Sequence, residues 1–161
     1  MSKLPPFHGK IPFPAKEKKP TLLTREKSPL WVYGKPPNVD LNWVLASTDR
    51  IHVGYDVVPP GGRFEPPDAH AGDEAYYVLK GTLTQLNNET GETHVVRAGE
   101  GLFIPKDCWH QGHNFTDEEV VILWAIAPMM FYPDKGPPEK YPGESKLLKA
   151  PKSKEGKSGG A

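Results

Sequence analysis

Residues 68–81 read Asp68-Ala69-His70-Ala71-Gly72-Asp73-Glu74-Ala75-Tyr76-Tyr77-Val78-Leu79-Lys80-Gly81, and how this stretch is taken decides the fold. From Glu74 onward it is aromatic and β-branched and ends on glycine, the composition of a strand that breaks or bulges at Gly81. Side chains alternate faces in extended chain, so Asp68, His70 and Glu74 share one parity and point into one interior. Three potential metal ligands on one wall call for a partner on a neighbouring strand. The candidate is His110, after the turn Pro105-Lys106-Asp107.

Working outward, the flanking sequence reads as more strand. Asn42 to Leu45 is a short apolar piece. Ile51 to Val58 places Ile51, Val53, Tyr55 and Val57 on one face, and Pro59-Pro60-Gly61-Gly62 closes it with turn chemistry. Thr82 to Leu86 and Thr93 to Arg97 flank a hairpin turn at Asn87–Gly91. A turn at Ala98–Gly101 leads to a strand at Leu102–Ile104, and strands continue through Trp109–Asn114 and Val120–Ala127. No segment of this region has amphipathic helical spacing. Short strands with turn signals at close spacing predict an all-β fold, closed or double-sheeted.

Composition sets the frame around these strands. A chain of 161 residues is the size of one domain, and its formal net charge of +0 offers no field for a polyanion, which argues against nucleic-acid binding. The single cysteine, Cys108, excludes an intramolecular disulfide framework and fits a reducing, cytoplasmic setting. No apolar run is long enough for a membrane-spanning helix, and no export signal is legible at the start. Residues 1–37, rich in proline and lysine, predict an extended N-terminal arm, which Trp31 and Tyr33 would pack on a barrel or a partner. Residues 38–135 predict the barrel, and residues 136–161, with Pro137, Pro138, Pro142 and a lysine-rich run, a disordered tail.

Two motifs now stand out, and over about residues 51–127 the chain resembles the cupin superfamily. That family's first motif runs glycine, five residues, His-x-His, three or four residues, Glu, six residues, glycine. Here it is Gly62, then Asp68-Ala69-His70, Glu74 and Gly81, with every spacing kept. The second runs glycine, five residues, Pro-x-Gly, two residues, His, three residues, Asn, and here it is Gly99, Pro105-Lys106-Asp107, His110 and Asn114. Two positions depart: Asp68 replaces the first histidine, and Asp107 replaces a glycine at a tight turn, where aspartate tolerates left-handed backbone. The resemblance implies a double-stranded β-helix (jelly-roll) barrel. It also implies a homodimer paired through edge strands, which the arm could extend.

The chemistry follows from the residue types. Two imidazoles and a carboxylate are costly to bury unpaired, and a divalent cation satisfies them together. His70, Glu74 and His110 form a 2-His-1-carboxylate set that suits Fe(II) first, with Mn(II), Zn(II) and Ni(II) also served by such ligands. Asp68 reads as a fourth ligand or as a base, and Tyr76, on the parity of Glu74, as a donor to a substrate oxygen or a core aromatic. Cys108 shares the parity of His110 but suits an apolar filler. His113 falls out of register and faces outward, His94 and His8 are solvated, and His52 has no evident place. An aromatic pocket lining is expected from among Trp43, Tyr55, Trp124, Met129, Met130 and Phe131. Arg63 and Arg97 are the only arginines between residues 51 and 127, which argues against highly anionic substrates.

Three functions fit this reading. Dioxygenation by Fe(II) of a small aromatic or enolisable molecule ranks first; metal-assisted isomerisation, decarboxylation or elimination ranks second. A non-catalytic sugar- or metabolite-binding module is the third.

Overall fold

The computed structural model describes residues 20–28, 30–35, 38–48, 50–64, 67–128 and 146–148. His8, Met129, Met130, Phe131, most of the expected tail and the side chains of Trp31 and Tyr33 lie outside what is described. The strands are β1 (Leu30–Lys35), β2 (Asn38–Ser47), β3 (His52–Val58), β4 (Asp73–Lys80) and β5 (Thr82–Asn87), followed by β6 (Thr93–Arg97), β7 (Gly101–Ile104), β8 (His110–His113), β9 (Val120–Ala127) and β10 (Lys146–Leu148). Among the described residues the one helical piece is a 3-10 turn at Arg25–Lys27. Seven strands form one sheet in the order β10-β1-β2-β3-β9-β4-β7, and three form the other, β6-β5-β8. This is the all-β double sheet that the strand spacing predicts.

β9 is the keystone of the larger sheet. It pairs antiparallel with β3 along Val58↔Val120 to His52↔Ile126 and with β4 along Lys80↔Val121 to Asp73↔Ala127. Its inward parity, Val120, Ile122, Trp124 and Ile126, is at most 3% exposed, so the most apolar run of the sequence sits where it touches both walls of the core. Gly81 separates β4 from β5 with φ of +77°, and a Cβ there would meet the Glu119 carbonyl oxygen at 2.6 Å. The chain therefore turns from one sheet into the other at a position that admits no side chain.

The two ends of the described chain share one sheet. β1, which lies before residue 38, pairs with β2 along Leu30↔Trp43 to Lys35↔Asn38 and with β10 at Leu30↔Leu148, Trp31↔Leu147 and Val32↔Lys146. The Arg25 guanidinium lies 5.0 Å from the centre of the Trp43 ring and 5.6 Å from that of Tyr55. Trp43 and Tyr55 thus occupy the outer face of the sheet, beneath the segment before β1, and do not line an interior pocket.

On β3 the buried parity is His52, Gly54, Asp56 and Val58, while Ile51 is exposed and Val53 and Tyr55 are half-buried. The apolar alternation from Ile51 to Val57 therefore marks the outer side of most of this strand. The polar parity faces inward because this wall borders the site described next.

Candidate metal centre

Two backbone staples bring the halves of the site together. Asp68 and His110 exchange N–H···O bonds of 2.9 Å in both directions, and the Asp107 N–H donates to the His70 carbonyl at 3.0 Å. Asp107 makes the second bond from left-handed backbone, φ 65°, the conformation that the second motif's glycine would otherwise supply. His70 and Glu74 thereby face His110 across the gap between the sheets, with all three side chains buried.

Nε2 of His70 and Nε2 of His110 each lie 3.2 Å from Glu74 Oε2, and the two rings stand 5.3 Å apart at 59°. One ligand atom from each of the three residues lies within 4.8 Å of the other two. His110 Nδ1 is 3.0 Å from the Cys108 carbonyl oxygen. A carbonyl only accepts, so Nδ1 carries a proton and Nε2 is the ring nitrogen turned toward Glu74. A neutral Nε2 and the carboxylate oxygen would face each other lone pair to lone pair, which either a proton or a metal cation between them relieves. Glu74 Oε2 is also enclosed and makes no hydrogen bond of good geometry. A buried N,N,O donor set facing inward around an unsatisfied oxygen fits a divalent transition metal. Burial alone would raise the Glu74 carboxyl, but His70 and His110 outweigh it and hold the group at about 2, ionised and ready to ligate.

Asp68 stands beside this set. Its Oδ2 is 3.8 Å from His70 Nε2, its Oδ1 accepts the Ala69 N–H at 2.8 Å, and its side chain is 23% exposed. It can reach a group bound at the centre from the open side. Tyr76 faces inward on the parity of Glu74 and donates its hydroxyl to Gln85 Oε1 at 2.9 Å. Burial, and after it the Glu74 carboxylate, push the phenol well above its ordinary value, so Tyr76 stays a donor.

The remaining candidates disperse. Cys108 packs half-buried against the core and offers its carbonyl to His110, with its Sγ 3.7 Å from Asn87 Nδ2. His113 stacks on exposed Phe115 at 5.1 Å, and His94 is exposed beside Glu92. Asn114, the last residue of the second motif, is fully buried and ties the end of β3 to the loop before β9, donating to the carbonyls of Val58 and Glu118. Its role is architectural. Trp124 is the one described residue of the expected aromatic lining that faces inward, and its Nε1 donates to Asp56 Oδ1 at 2.8 Å.

A model of the cupin domain matches residues 54–126, the strands that carry both motifs. Residues 54–126 are a cupin domain. This cupin is 32% identical over 84 residues to a protein named polyketide synthase CurC from Streptomyces cyaneus, an alignment covering 52% of the chain and 53% of that relative. The chain spans about half the length of the curated relatives it matches. Among solved structures it superposes on the polyketide cyclase RemF from Streptomyces resistomycificus with a TM-score of 0.56 and 20% identity, over 70% of this chain and 85% of that one. It also superposes on an RmlC-like cupin with a double-stranded β-helix fold from Methanocaldococcus jannaschii, TM-score 0.52 and 16% identity, over 62% and 89% of the two chains. At these identities the likeness is one of fold, and the fold of this cupin is the double-stranded β-helix.

Sequence reasoning passes over several inward polar groups in the cupin barrel. Ser47 Oγ and His52 Nδ1 are 2.8 Å apart and buried, and burial, then His70, lowers the His52 pKa so that it stays neutral. Asp40, Asn42, Asp56 and Gln85 are each no more than 6% exposed. The signal was present in β2 as polar residues alternating with Val39, Leu41 and Trp43. An amphipathic strand is ordinarily read with its apolar side inward, which places these groups in solvent.

Proposed function

We propose that this cupin is a metal-dependent enzyme that moves protons on a small, enolisable carbonyl compound of polyketide type. One observation carries the reading: the Nε2 atoms of His70 and His110 converge on the buried, unsatisfied Glu74 Oε2, with Asp68 at the open side. His70, Glu74 and His110 would hold the metal, which supplies Lewis acidity toward a carbonyl oxygen. Asp68, partly solvated and beside His70, accepts the proton removed next to that carbonyl. Tyr76 keeps its proton and orients the substrate through its hydroxyl, itself fixed by Gln85. The stretch shared with a protein named polyketide synthase supports the substrate class.

A second reading, Fe(II)-dependent dioxygenation, is favoured by the tight group having three members, since a three-ligand set leaves more metal positions open than four. Turnover of a panel of aryl 1,3-diketones by full-length, metal-loaded protein with and without oxygen separates the two. Proton transfer predicts anaerobic conversion to isomeric or dehydrated products, lost at least 100-fold in His110→Ala. Oxygen consumed in step with substrate would move the assignment to dioxygenation. Stabilisation by these compounds with no conversion under either condition would leave a binding module.

A further inference from the structure

A recess of about 170 Å3 opens between β5 and β6 of the smaller sheet and β7, the edge strand of the larger. Its lining grades from wet to dry. At the mouth stand Glu92 and His94, exposed and 3.3 Å apart, and Phe103, which is 64% exposed. Leu102 and Cys108 follow, both half-buried, and the wall ends on Ile104 and His110, 6% and 4% exposed. Glu92 is the one carboxylate of the lining, so the inner wall carries no acid and is mostly apolar. Two contacts tie this inner end to the metal centre. The Cys108 carbonyl oxygen lies 3.0 Å from His110 Nδ1, and Gln85, which also lines the recess, accepts the Tyr76 hydroxyl at 2.9 Å.

We propose that this recess is an aryl-binding site that takes one six-membered aromatic ring and discriminates against fused ring systems. An apolar protein cavity of about 150 Å3 stays dry and binds benzene, and the recess, at about 170 Å3, is of that size. A second, fused ring has to stay at the charged mouth or push Leu102 out of its packing against the core, and both cost affinity. A ketone without a ring leaves the apolar wall wet and gains little. The inference deepens the function proposed above and rests on it for what the ring is attached to, an enolisable carbonyl, while the fit of the ring stands on the recess alone. The substrate class narrows accordingly to ketones with a single aryl ring.

The test uses the full chain, metal-free and metal-loaded, with acetophenone, 1-acetonaphthone and acetone as probes in NMR titrations of methyl-labelled protein. Acetophenone is expected to shift the Leu102 and Ile104 methyls and to bind about tenfold or more tightly than either of the other two. Because Cys108 is the single cysteine, its reaction with methyl methanethiosulfonate reports on the recess of the unaltered protein, and saturating acetophenone should slow it at least fivefold. Leu102→Ala, which widens the recess, should bring 1-acetonaphthone to within about threefold of acetophenone. Equal or tighter binding of the naphthyl ketone by wild type would overturn the proposal. So would an unprotected Cys108, shifts confined to other methyls, or failure to bind acetophenone at all. Ring binding at Leu102 and Ile104 in protein that converts none of the aryl diketones would uphold the recess and remove the catalytic reading. Conversion of those diketones without ring binding there would overturn this inference alone.

Discussion

At the scale of single residues, the site depends on backbone as much as on ligands. Asp107 is the position where the chain departs from its motif without consequence: aspartate occupies φ 65°, and its N–H reaches the His70 carbonyl. Asp107→Gly is expected to leave stability within about 1 kcal/mol of wild type, since the turn loses strain while the unfolded chain gains freedom. Asp107→Val, β-branched in left-handed backbone, is expected to lose about 1–2 kcal/mol and to weaken metal binding, because the staple to His70 is displaced. Urea denaturation and a metal titration on both variants check this; equal behaviour of Gly and Val would show that the turn does not position His70. The same residues show how much was legible. His70, Glu74 and His110 were readable because a metal-ligand motif specifies both residue type and spacing, and these three are what the fold brings within 4.8 Å. Asp68 shares their parity, yet its side chain points part of its surface to solvent, a distinction that alternation does not encode.

At the scale of elements, the strands were readable because turns punctuate them: β6 and β9 span the residues that Gly, Pro and Asn signals delimit. Which side of a strand faces inward was less readable. On β2 and β3 a polar row faces the interior, with Asp40, Asn42, His52 and Asp56 all buried, which alternation alone does not reveal. Trp124 on β9 makes this concrete. Its indole lies across Gly54 of β3, where a Cβ would come within 2.0 Å of Cζ2, and its Nε1 bonds Asp56. Gly54→Ala is therefore expected to push the ring aside, break a buried hydrogen bond and destabilise the protein by about 2–4 kcal/mol. Denaturant unfolding gives the magnitude, and tryptophan emission reports the displaced ring. A loss below about 0.5 kcal/mol would mean that β3 and β9 shift apart without strain, contrary to a packed interior.

At the scale of the whole molecule, the inward carboxyls couple folding to pH in opposite directions. Glu74, held at about 2 against an ordinary 4.5, contributes stability above pH 4.5 that is lost as pH falls toward 2. Asp40 is raised to about 8 from 3.8, first by burial and then by Asp68, and Asp56 is raised by burial and then by Asp40. A carboxyl raised in the folded state contributes stability that is complete below pH 3.8 and lost as pH climbs through about 8, since the folded chain must hold a proton that the unfolded chain has released. His52, lowered by burial and then by His70, acts the other way below about pH 6.5, where the unfolded imidazole is protonated. Between pH 6.5 and 8 the protons on the two raised carboxyls, Asp40 and Asp56, are therefore left to dominate among these four groups. Stability of the metal-free protein should fall across that window by on the order of 1 kcal/mol per pH unit, and Asp40→Asn should flatten the fall. Thermal midpoints of the two proteins, taken every half unit from pH 6.5 to 8, measure it. Parallel curves would show that Asp40 is ionised in the folded barrel at neutral pH, and that its charge is balanced inside the molecule by some other group.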